Sequence, residues 1–480
     1  MAMPTIPSTE TTRTVAALAV ACGALLLSAC QADGPVAPTG ESSPAASSEV
    51  LDISFVEITS EPFGTFDGVA FVRHTGMFEG ETSLGAFRVP FEIVAPQDPS
   101  LGSGTVLVEP PHWAFPATGR EFVLGRDIVF GSGMSYASVG FGTDGRNILD
   151  FSVTDAVIAG EPVDNPGRLT FSGVSDEEIL VQFTRALTSR AFAAGVLGSV
   201  DRIYAYGISQ TADVLMETLM RITGTASADL FDLTVMHGTS WTVEVEGVTR
   251  PGGPLQFLAG GFTPPPDVGP VLFVHAEGDL VIFDSEQFRA AVGLPDYRVY
   301  EVPGGAHLPT AENPLDHWAV ARAVFVAGDA WVRRGDPPAA SRLIAPAPAG
   351  QIDPVYADDP RVDSETGIAR DADLNARGGV RMPDLEVGRA QYIASDPGTP
   401  TLGIPGLEPL SGSFVDLACE PEPDSDTDEP RFRSHGDYVH RIARQANELV
   451  REGFLLEDDA EALKDRAAES EVGKPGSCEG

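Results

Sequence analysis

Hydrophobic and polar positions along the chain predict a set of strands, followed by strands that alternate with helices. Residues 51–95 contain three segments rich in β-branched and aromatic residues, separated by turns that contain glycine. This is the pattern of an antiparallel meander. Residues 105–108 are apolar throughout, as expected for a strand that is covered on both faces of a sheet.

Strand and helix patterns alternate after residue 175. Apolar residues recur at helical spacing over 176–198, and Ser175 with Glu178 forms a capping box at the start of this segment. Later patterns predict strands at 201–206, 231–237, 270–275 and 297–302, and helices at 210–222, 284–292 and 314–333. The alternation is typical of the α/β class, in which helices cover both faces of a mostly parallel sheet.

The composition changes after the last of these helices. Residues 339–430 are rich in proline, glycine and aspartate and show little periodicity, whereas 436–452 and 456–469 have helical patterns. We therefore predict a core over residues 50–338 and a C-terminal extension over residues 339–480 that packs on it.

The N-terminal segment has the features of an export signal. Residues 14–29 form an uncharged apolar run of signal-peptide length. The run ends in Leu-Ser-Ala before Cys30, which resembles the lipobox of bacterial lipoproteins. We predict a signal peptide over residues 1–29, a lipid on Cys30 as the protein's only membrane contact, and a flexible tether over residues 30–49. The protein would then lie in the cell envelope; an ordinary cleaved signal is the alternative.

Cys419 and Cys478 are the cysteines that remain once Cys22 leaves with the signal and Cys30 carries lipid. In an exported protein, such a pair favours a disulfide. Closing this loop would stabilise the fold by about 3 to 4 kcal/mol in the chain-entropy model. Two unlinked thiols are the alternative. The spacings of cysteine and histidine match no zinc site, and no cofactor is expected.

Charge excludes one class of partner. The chain has 70 Asp and Glu against 31 Lys and Arg, a formal net charge of −39. Such a field repels phosphate backbones and anionic bilayers, so nucleic acid is not an expected ligand. The function must therefore be inferred from local motifs.

A strand-to-helix turn at Ser209 resembles a nucleophile elbow. The predicted strand 201–206 leads into Gly207-Ile208-Ser209-Gln210-Thr211, and a helical pattern follows. The elbow holds a serine in a strained backbone conformation and needs a residue without a side chain two positions earlier, which Gly207 provides. Thr211, a bulkier residue, stands where a second glycine is usual and where helix and strand must approach closely, so the motif is less specific.

Two further residues follow neighbouring predicted strands. Asp279 lies in the turn after 270–275, and His307 lies in a glycine-containing loop after 297–302. In open α/β sheets, ligands gather beyond the carboxyl ends of the strands. The chain order Ser209, Asp279, His307 is the order of the α/β-hydrolase fold. Glu277 occupies the same turn as Asp279 and is the alternative acid.

These residue types suit nucleophilic catalysis. A serine hydroxyl is a weak nucleophile until a base removes its proton, and His307 can act as that base near neutral pH. Asp279 would fix the tautomer of His307 and stabilise its protonated form.

A tetrahedral intermediate also needs hydrogen-bond donors for its oxyanion. The backbone N–H of Gln210 directly follows the nucleophile, as this chemistry requires. A second donor should come from the loop 109–113 after the strand 105–108. Since the two prolines of this loop have no N–H, His112 or Trp113 would supply it.

Three other histidines are not expected to act in catalysis. His275 lies inside an apolar strand and is interpreted as a hydrogen-bonded core histidine. His237, at a strand end, is interpreted in the same way, with a place in the pocket wall as the alternative. His317 is expected to be solvated.

From about residue 50 to the end, the chain resembles the exported bacterial proteins called alpha/beta hydrolase domain proteins. The resemblance is carried by YGISQTADVL, the AEGD and GGAH loops, WVRRGDPP, GGVRMPDL at 378–385, and HGDYVHRIARQANELVREGFLLEDDAEAL near the C-terminus. It implies the α/β-hydrolase fold with N-terminal antiparallel strands, a C-terminal helical extension and a small lid between 222 and 270.

The sequence therefore predicts a lipid-anchored serine hydrolase that acts on small-molecule esters through an acyl-enzyme. A non-catalytic surface binding protein on a degenerate hydrolase scaffold is the main alternative, motivated by Thr211 and the short lid. Amide or peptide hydrolysis would use the same three residues. The sequence predicts neither the substrate nor the oligomeric state.

Overall fold

The computed structural model describes most of the chain after the tether. The described residues are 53–83, 85–112, 117–141, 176–239, 244–245, 248–249, 262–283, 285–348, 351, 353–356, 367–396, 410–423 and 430–478. The predicted signal peptide and tether, with Cys30, lie outside them, as do Trp113, Ser175 and part of the predicted lid. Within the described residues, no helix is both long and apolar enough to span a membrane.

A mixed sheet of nine strands forms the centre of the described structure. The strands in chain order are β1 (Ser54–Phe66), β2 (Val69–Thr82), β3 (Gly85–Pro96), β4 (Thr105–Val108), β5 (Ser135–Val139), β6 (Arg202–Ile208), β7 (Leu233–His237), β8 (Glu244–Val245), β9 (Val248–Thr249), β10 (Val271–Ala276), β11 (Tyr297–Val302), β12 (Ala390–Ile393) and β13 (Ser413–Asp416). In space the sheet runs β1-β2-β3-β5-β4-β6-β7-β10-β11, and β8-β9 and β12-β13 form two small separate sheets.

The pairing is antiparallel from β1 to β5 and parallel from β5 to β11. Strands β1, β2 and β3 form the predicted antiparallel meander, and β3 pairs antiparallel with β5. Strands β4, β6, β7, β10 and β11 then continue the sheet in parallel. The carboxyl ends of β6, β7, β10 and β11 therefore lie along one edge, which is where ligands bind in such sheets.

The helices lie on both faces of this sheet. They are α1 (Asp176–Ser189), α2 (Ala191–Leu197), α3 (Gln210–Ile222), α4 (Glu277–Phe283), α5 (Trp318–Arg334), α6 (Pro383–Glu386), α7 (His435–Glu452) and α8 (Glu457–Glu469). Short 3-10 or π-helical segments occupy Pro99–Leu101, Gly119–Val123, Asp127–Gly131 and Ser285–Ala291. The predicted α/β class with N-terminal antiparallel strands and C-terminal helices is confirmed.

Alternate residues of each strand pack on opposite faces, because successive side chains of a strand point in opposite directions. Val271 and Phe273 of β10 join α1 and α3 in one hydrophobic cluster. Leu272 and Val274 join α5 in the other. Both clusters are almost fully buried, so the central strands are apolar on both faces.

Several predicted elements differ from the observed ones. The helix predicted over 176–198 is interrupted at Arg190, whose backbone is extended. The carboxylate of Glu178, predicted to cap that helix, accepts hydrogen bonds from Ser83. The helix predicted at 284–292 is present as a 3-10 helix over Ser285–Ala291, and α4 occupies the preceding residues that were expected to form a turn.

The described parts of the extension contact the core through both apolar and charged groups. Leu449 of α7 and Leu463 of α8 belong to the same hydrophobic cluster as α5. Arg322 of α5 forms an ion pair with Asp459 of α8, with Nη2 2.7 Å from Oδ1. The predicted disulfide between Cys419 and Cys478 is present and joins the segment after β13 to the end of the chain.

Candidate active site

Ser209 lies in the sharp turn between β6 and α3. Its backbone has φ 54° and ψ −128°, a conformation that residues other than glycine rarely adopt. The turn also brings strand and helix very close together. A Cβ atom at Gly207 would lie 2.6 Å from the carbonyl oxygen of Thr211, so a side chain at this position would displace the backbone. The local sequence therefore forms the predicted elbow.

Thr211 fits within this turn instead of crowding it. Its hydroxyl accepts a hydrogen bond from the Ile208 N–H at 2.7 Å and donates one to the Ile208 carbonyl at 2.9 Å. The side chain is fully buried. The turn therefore accommodates a residue larger than glycine, because the Thr211 hydroxyl satisfies backbone groups of the turn itself.

The structure brings Ser209, His307 and Asp279 together at the carboxyl edge of the sheet. The Nε2 atom of His307 lies 3.0 Å from the Oγ atom of Ser209. Its Nδ1 atom lies 2.5 Å from Oδ1 of Asp279. His307 and Asp279 are buried, whereas Ser209 remains partly exposed. The three side chains, a carboxylate, an imidazole and a partly exposed hydroxyl, are therefore linked in series by hydrogen bonds.

Asp279 is ionised in this environment. Burial by itself would raise its pKa, but the charge and hydrogen bond of His307 outweigh burial and hold the pKa at about 2. The second carboxylate oxygen of Asp279 accepts a hydrogen bond from the Ala276 N–H at 2.6 Å. The carboxylate is therefore fixed at both oxygens.

Glu277, the alternative acid, is bonded to other groups. Its carboxylate accepts hydrogen bonds from the Gly304 N–H at 2.7 Å and from the Tyr356 hydroxyl at 3.1 Å. It also forms an ion pair with Arg370, in which Nη1 lies 2.7 Å from Oε1. The geometry therefore favours Asp279 as the partner of His307.

Gln210, a predicted oxyanion donor, directly follows Ser209, and His112, the other described candidate, lies in the loop after β4. Gln210 opens α3, and the first N–H groups of a helix have no partner within the helix. Its side-chain amide is buried and makes no hydrogen bond in the part of the chain that the structure describes. His112 is also buried, and burial together with the charge of nearby His307 lowers its pKa to about 3. Trp113 lies outside the described residues.

The loop that carries His112 is fixed by a buried carboxylate that the sequence analysis did not single out. Glu109 accepts hydrogen bonds from the N–H groups of Gly119 and Arg120, which follow the loop. Burial raises its pKa to about 8, although these N–H groups and the charge of Arg120 oppose the change. The only sequence signal for this role was its position directly after β4.

Three more histidines are buried in the described structure. The prediction that His317 is solvated is wrong: the side chain is fully buried, with its ring centroid 5.1 Å from that of His237. His237 in turn lies 3.3 Å, Nδ1 to hydroxyl, from Tyr206. His275 is buried as expected, but neither of its ring nitrogens has a hydrogen-bond partner among the described residues.

Burial keeps these three rings uncharged. It lowers the pKa of His275 and of His317 to about 4, and it lowers that of His237 well below the ordinary value. Within the described residues, no group of three or more histidine, cysteine or acidic side chains is placed to hold a metal ion. These buried rings are therefore neutral near pH 7.

Comparisons with known proteins give one match to a family and several to solved structures. A family model described as an alpha/beta hydrolase domain matches residues 85–465. A thermostable esterase from Pseudomonas putida is 13% identical over 52% of this chain and 73% of its own, with a TM-score of 0.28. Tannin acyl hydrolase from Aspergillus niger is 14% identical over 50% and 38%, with a TM-score of 0.25. A Mycobacterium tuberculosis protein is 14% identical over 54% and 99%, with a TM-score of 0.32. The comparison with curated proteins gave no match.

Proposed function

Because this chain belongs to the alpha/beta hydrolase domain family, we propose that it is a serine hydrolase that cleaves carboxylic esters through an acyl-enzyme. The observation that carries the proposal is the hydrogen-bonded chain from Ser209 through His307 to Asp279. Nucleophile, base and orienting carboxylate are each within hydrogen-bonding reach of the next, which is the arrangement that activates a serine hydroxyl.

The reaction would proceed in two halves. In the first, Oγ of Ser209 attacks the carbonyl carbon of the ester while Nε2 of His307 takes its proton. The tetrahedral intermediate collapses, the bond to the alcohol oxygen breaks, and His307 returns the proton to the leaving alcohol. In the second half, His307 takes a proton from water as the water attacks the acyl-enzyme, and it then reprotonates Ser209 to release the carboxylic acid.

Two features of the site support these steps. Asp279 is ionised, so it can accept the Nδ1–H of His307 and stabilise the imidazolium that forms in each half-reaction. The N–H of Gln210, at the start of α3, lies next to the nucleophile where it would stabilise the oxyanion. Removing one such donor typically costs about 100- to 1,000-fold in rate.

The site geometry favours catalysis over a purely binding role. Thr211 was the residue that motivated the non-catalytic alternative. Its hydroxyl is bonded within the turn, and the Ser209–His307 contact is formed beside it. The replaced glycine therefore gives no reason to expect an inactive elbow. Ester and amide hydrolysis would use the same groups, and the preference for esters is part of the proposal.

Replacement of Ser209 by alanine tests the proposal directly. We expect Ser209→Ala to lose at least about 1,000-fold in the hydrolysis of p-nitrophenyl butyrate, since a triad without its nucleophile retains only background catalysis. The variant should also no longer be labelled by a fluorophosphonate. Both are measured on the purified, folded protein, together with hydrolysis of a matched p-nitroanilide to compare ester with amide.

Ser132→Ala provides the control, because Ser132 lies in the turn before β5 and its hydroxyl only donates to the Val129 carbonyl. This variant should keep full activity and labelling. Mass spectrometry should locate the probe on Ser209 in the unmodified protein. A probe on another residue, or full activity in Ser209→Ala, would show that Ser209 is not the nucleophile.

A further inference from the structure

Glu277 connects the loop that carries His307 to the C-terminal extension. Its side chain is fully buried and lies two residues before Asp279, at the start of α4. One carboxylate oxygen accepts the N–H of Gly304, three residues before His307, at 2.7 Å. The other oxygen faces Tyr356 and Arg370, both of the extension. One carboxylate thus contacts two segments that are far apart in sequence.

The extension holds this carboxylate through a network of its own. The guanidinium of Arg370 makes hydrogen bonds to both oxygens of Asp353, at 3.0 Å from Nε and 2.7 Å from Nη2. The Tyr356 hydroxyl donates to Glu277 and accepts the N–H of Ala394 at 3.1 Å. The side chains of Arg370 and Asp353 are each only 4% exposed. A fully buried carboxylate needs such partners, because an unpaired buried charge strongly destabilises the fold.

Further contacts fix the same loop against the extension. The N–H of Leu308, next to His307, donates to the Leu410 carbonyl at 2.8 Å. The side-chain amide of Asn313 donates to the Gly304 carbonyl at 2.9 Å and to the Ile393 carbonyl at 3.2 Å. Leu410 and Ile393 both belong to the extension, so the extension contacts this loop directly at Leu308 and also through Asn313.

The loop needs this support because its sequence does not fix its conformation. It contains Gly304, with φ +72°, and Gly305, and glycine has the widest backbone freedom of any residue. His307 must nevertheless place Nε2 within 3.0 Å of Ser209. A displacement of about 1 Å in a catalytic group can cost about 100-fold in rate.

We propose that Glu277 is a positioning residue through which the extension fixes the His307 loop. The extension thereby helps to set the position of His307 relative to Ser209. The inference rests on the proposed function, since it assigns Glu277 no role except to place the base. Glu277 touches neither Ser209 nor substrate in this role. It acts through the N–H of Gly304.

Glu277→Gln is the principal test. The amide can still accept the Gly304 N–H but loses the ion pair with Arg370, so the loop should be held less firmly. We expect kcat for p-nitrophenyl butyrate to fall about 10- to 100-fold while KM stays within about threefold, because the base is displaced and the substrate pocket is not. The rate of fluorophosphonate labelling at Ser209 should fall by the same factor.

Glu301→Gln is the matched control. Glu301 is an equally buried carboxylate that also joins the core to the extension, and within the described residues its side chain bonds to Arg289 and the Ile344 N–H instead of to the loop residues 303–308. The Glu301→Gln variant should lower the midpoint temperature of thermal unfolding as much as Glu277→Gln does. Its kcat per folded molecule should stay unchanged. Equal losses of kcat in the two variants would overturn the proposal, since they would reflect stability alone.

Tyr356→Phe and Asp279→Asn complete the series. Tyr356→Phe removes one hydroxyl from the network and keeps the ring, and we expect a three- to tenfold loss of kcat even if Glu277→Gln does not fold. Asp279→Asn should lower kcat by about 10⁴-fold, as expected for the triad acid. A larger loss in Glu277→Gln than in Asp279→Asn would make Glu277 the acid and end the positioning role.

The outcomes separate this inference from the proposed function. If the unmodified protein neither hydrolyses the ester nor reacts with the probe at Ser209, the proposed function fails and the inference fails with it. If the unmodified protein is active and both Glu277→Gln and Tyr356→Phe keep its kcat, the function stands and only the inference is overturned.

Discussion

The backbone of Ser209 shows how single residues maintain a strained turn. A left-handed backbone at a residue other than glycine costs on the order of 1–3 kcal/mol, and neighbouring contacts must outweigh this cost. The N–H of Ser209 donates to the His237 carbonyl at 2.8 Å, and the Thr211 hydroxyl bonds both backbone groups of Ile208. Thr211 therefore stabilises the turn that holds the proposed nucleophile.

Thr211→Val tests this role. Valine has nearly the same shape but no hydroxyl, so it leaves the buried Ile208 N–H without its partner, which typically costs about 1–3 kcal/mol. We expect the free energy of unfolding, measured by urea denaturation, to fall by this amount, and fluorophosphonate labelling of Ser209 to slow. Thr211→Ser keeps the hydroxyl, so its free energy of unfolding should fall by less than half as much as that of Thr211→Val. Equal stability of the valine variant and the unmodified protein would contradict the role.

The choice between Glu277 and Asp279 was open at the residue level for a physical reason. Both residues lie in the first turn of α4. Side chains two positions apart on a helix point about 200° apart, so only one of them can face His307. The sequence places two carboxylates in the turn, but the orientation of the helix selects Asp279 for His307 and turns Glu277 toward Gly304.

At the level of elements, strong local periodicity was predicted well. Helix α3 and strand β11 have the bounds that their patterns indicate. The four-residue strand β4 was also predicted with its observed bounds, but three other short strands were not predicted. Strand β5 has only five residues, and β12 and β13 have four each within a segment of little periodicity. These strands exist because they pair with partners elsewhere in the chain, which a local pattern does not record.

The C-terminal helices are joined to the rest of the extension by the Cys419–Cys478 disulfide. The bond encloses α7 and α8 in a loop with a sequence separation of 59 residues. In the chain-entropy model, this loop stabilises the folded state by about 3 to 4 kcal/mol, because the cross-link restricts the unfolded chain. The disulfide therefore helps to hold α8 against Arg322 and the core.

Removal of both cysteines tests this contribution. We expect the Cys419→Ser/Cys478→Ser double variant to lose about 3 to 4 kcal/mol in free energy of unfolding. The unmodified protein in a reducing agent should lose the same amount, and the agent should not affect the variant. An unchanged urea midpoint in the variant would contradict the prediction.

At the scale of the whole molecule, the buried histidines link stability to pH. His112, His237, His275 and His317 all have pKa values lowered by burial, whereas histidine in an unfolded chain titrates near pH 6.5. Between pH 6.5 and about 4, protons therefore bind the unfolded chain more strongly than the folded protein. The free energy of unfolding should fall as pH is lowered through this range.

His275→Leu tests this linkage without touching the proposed triad. The His275 ring stacks on Phe288 with centroids 5.3 Å apart, so a leucine would remain in apolar surroundings. We expect the dependence of unfolding free energy on pH between 6.5 and 4 to become shallower by about 1.4 kcal/mol per pH unit, which corresponds to one proton. Urea denaturation at several pH values measures it. His440→Gln, at an exposed position of α7, should leave the slope unchanged; equal slopes for all three proteins would exclude the linkage.

The sequence alone determined the α/β class, the elbow at Ser209 and the order in which Asp279 and His307 follow their strands. These features depend on local periodicity, on glycine at a tight turn, and on the rule that parallel strands end at one edge of a sheet. Lipidation of Cys30, outside the described residues, stays a prediction. The tertiary structure decided which carboxylate faces His307, that His317 is buried, and that Tyr356 and Arg370 support the site. Each of these depends on the direction of a side chain and on contacts between distant segments, which no local pattern encodes.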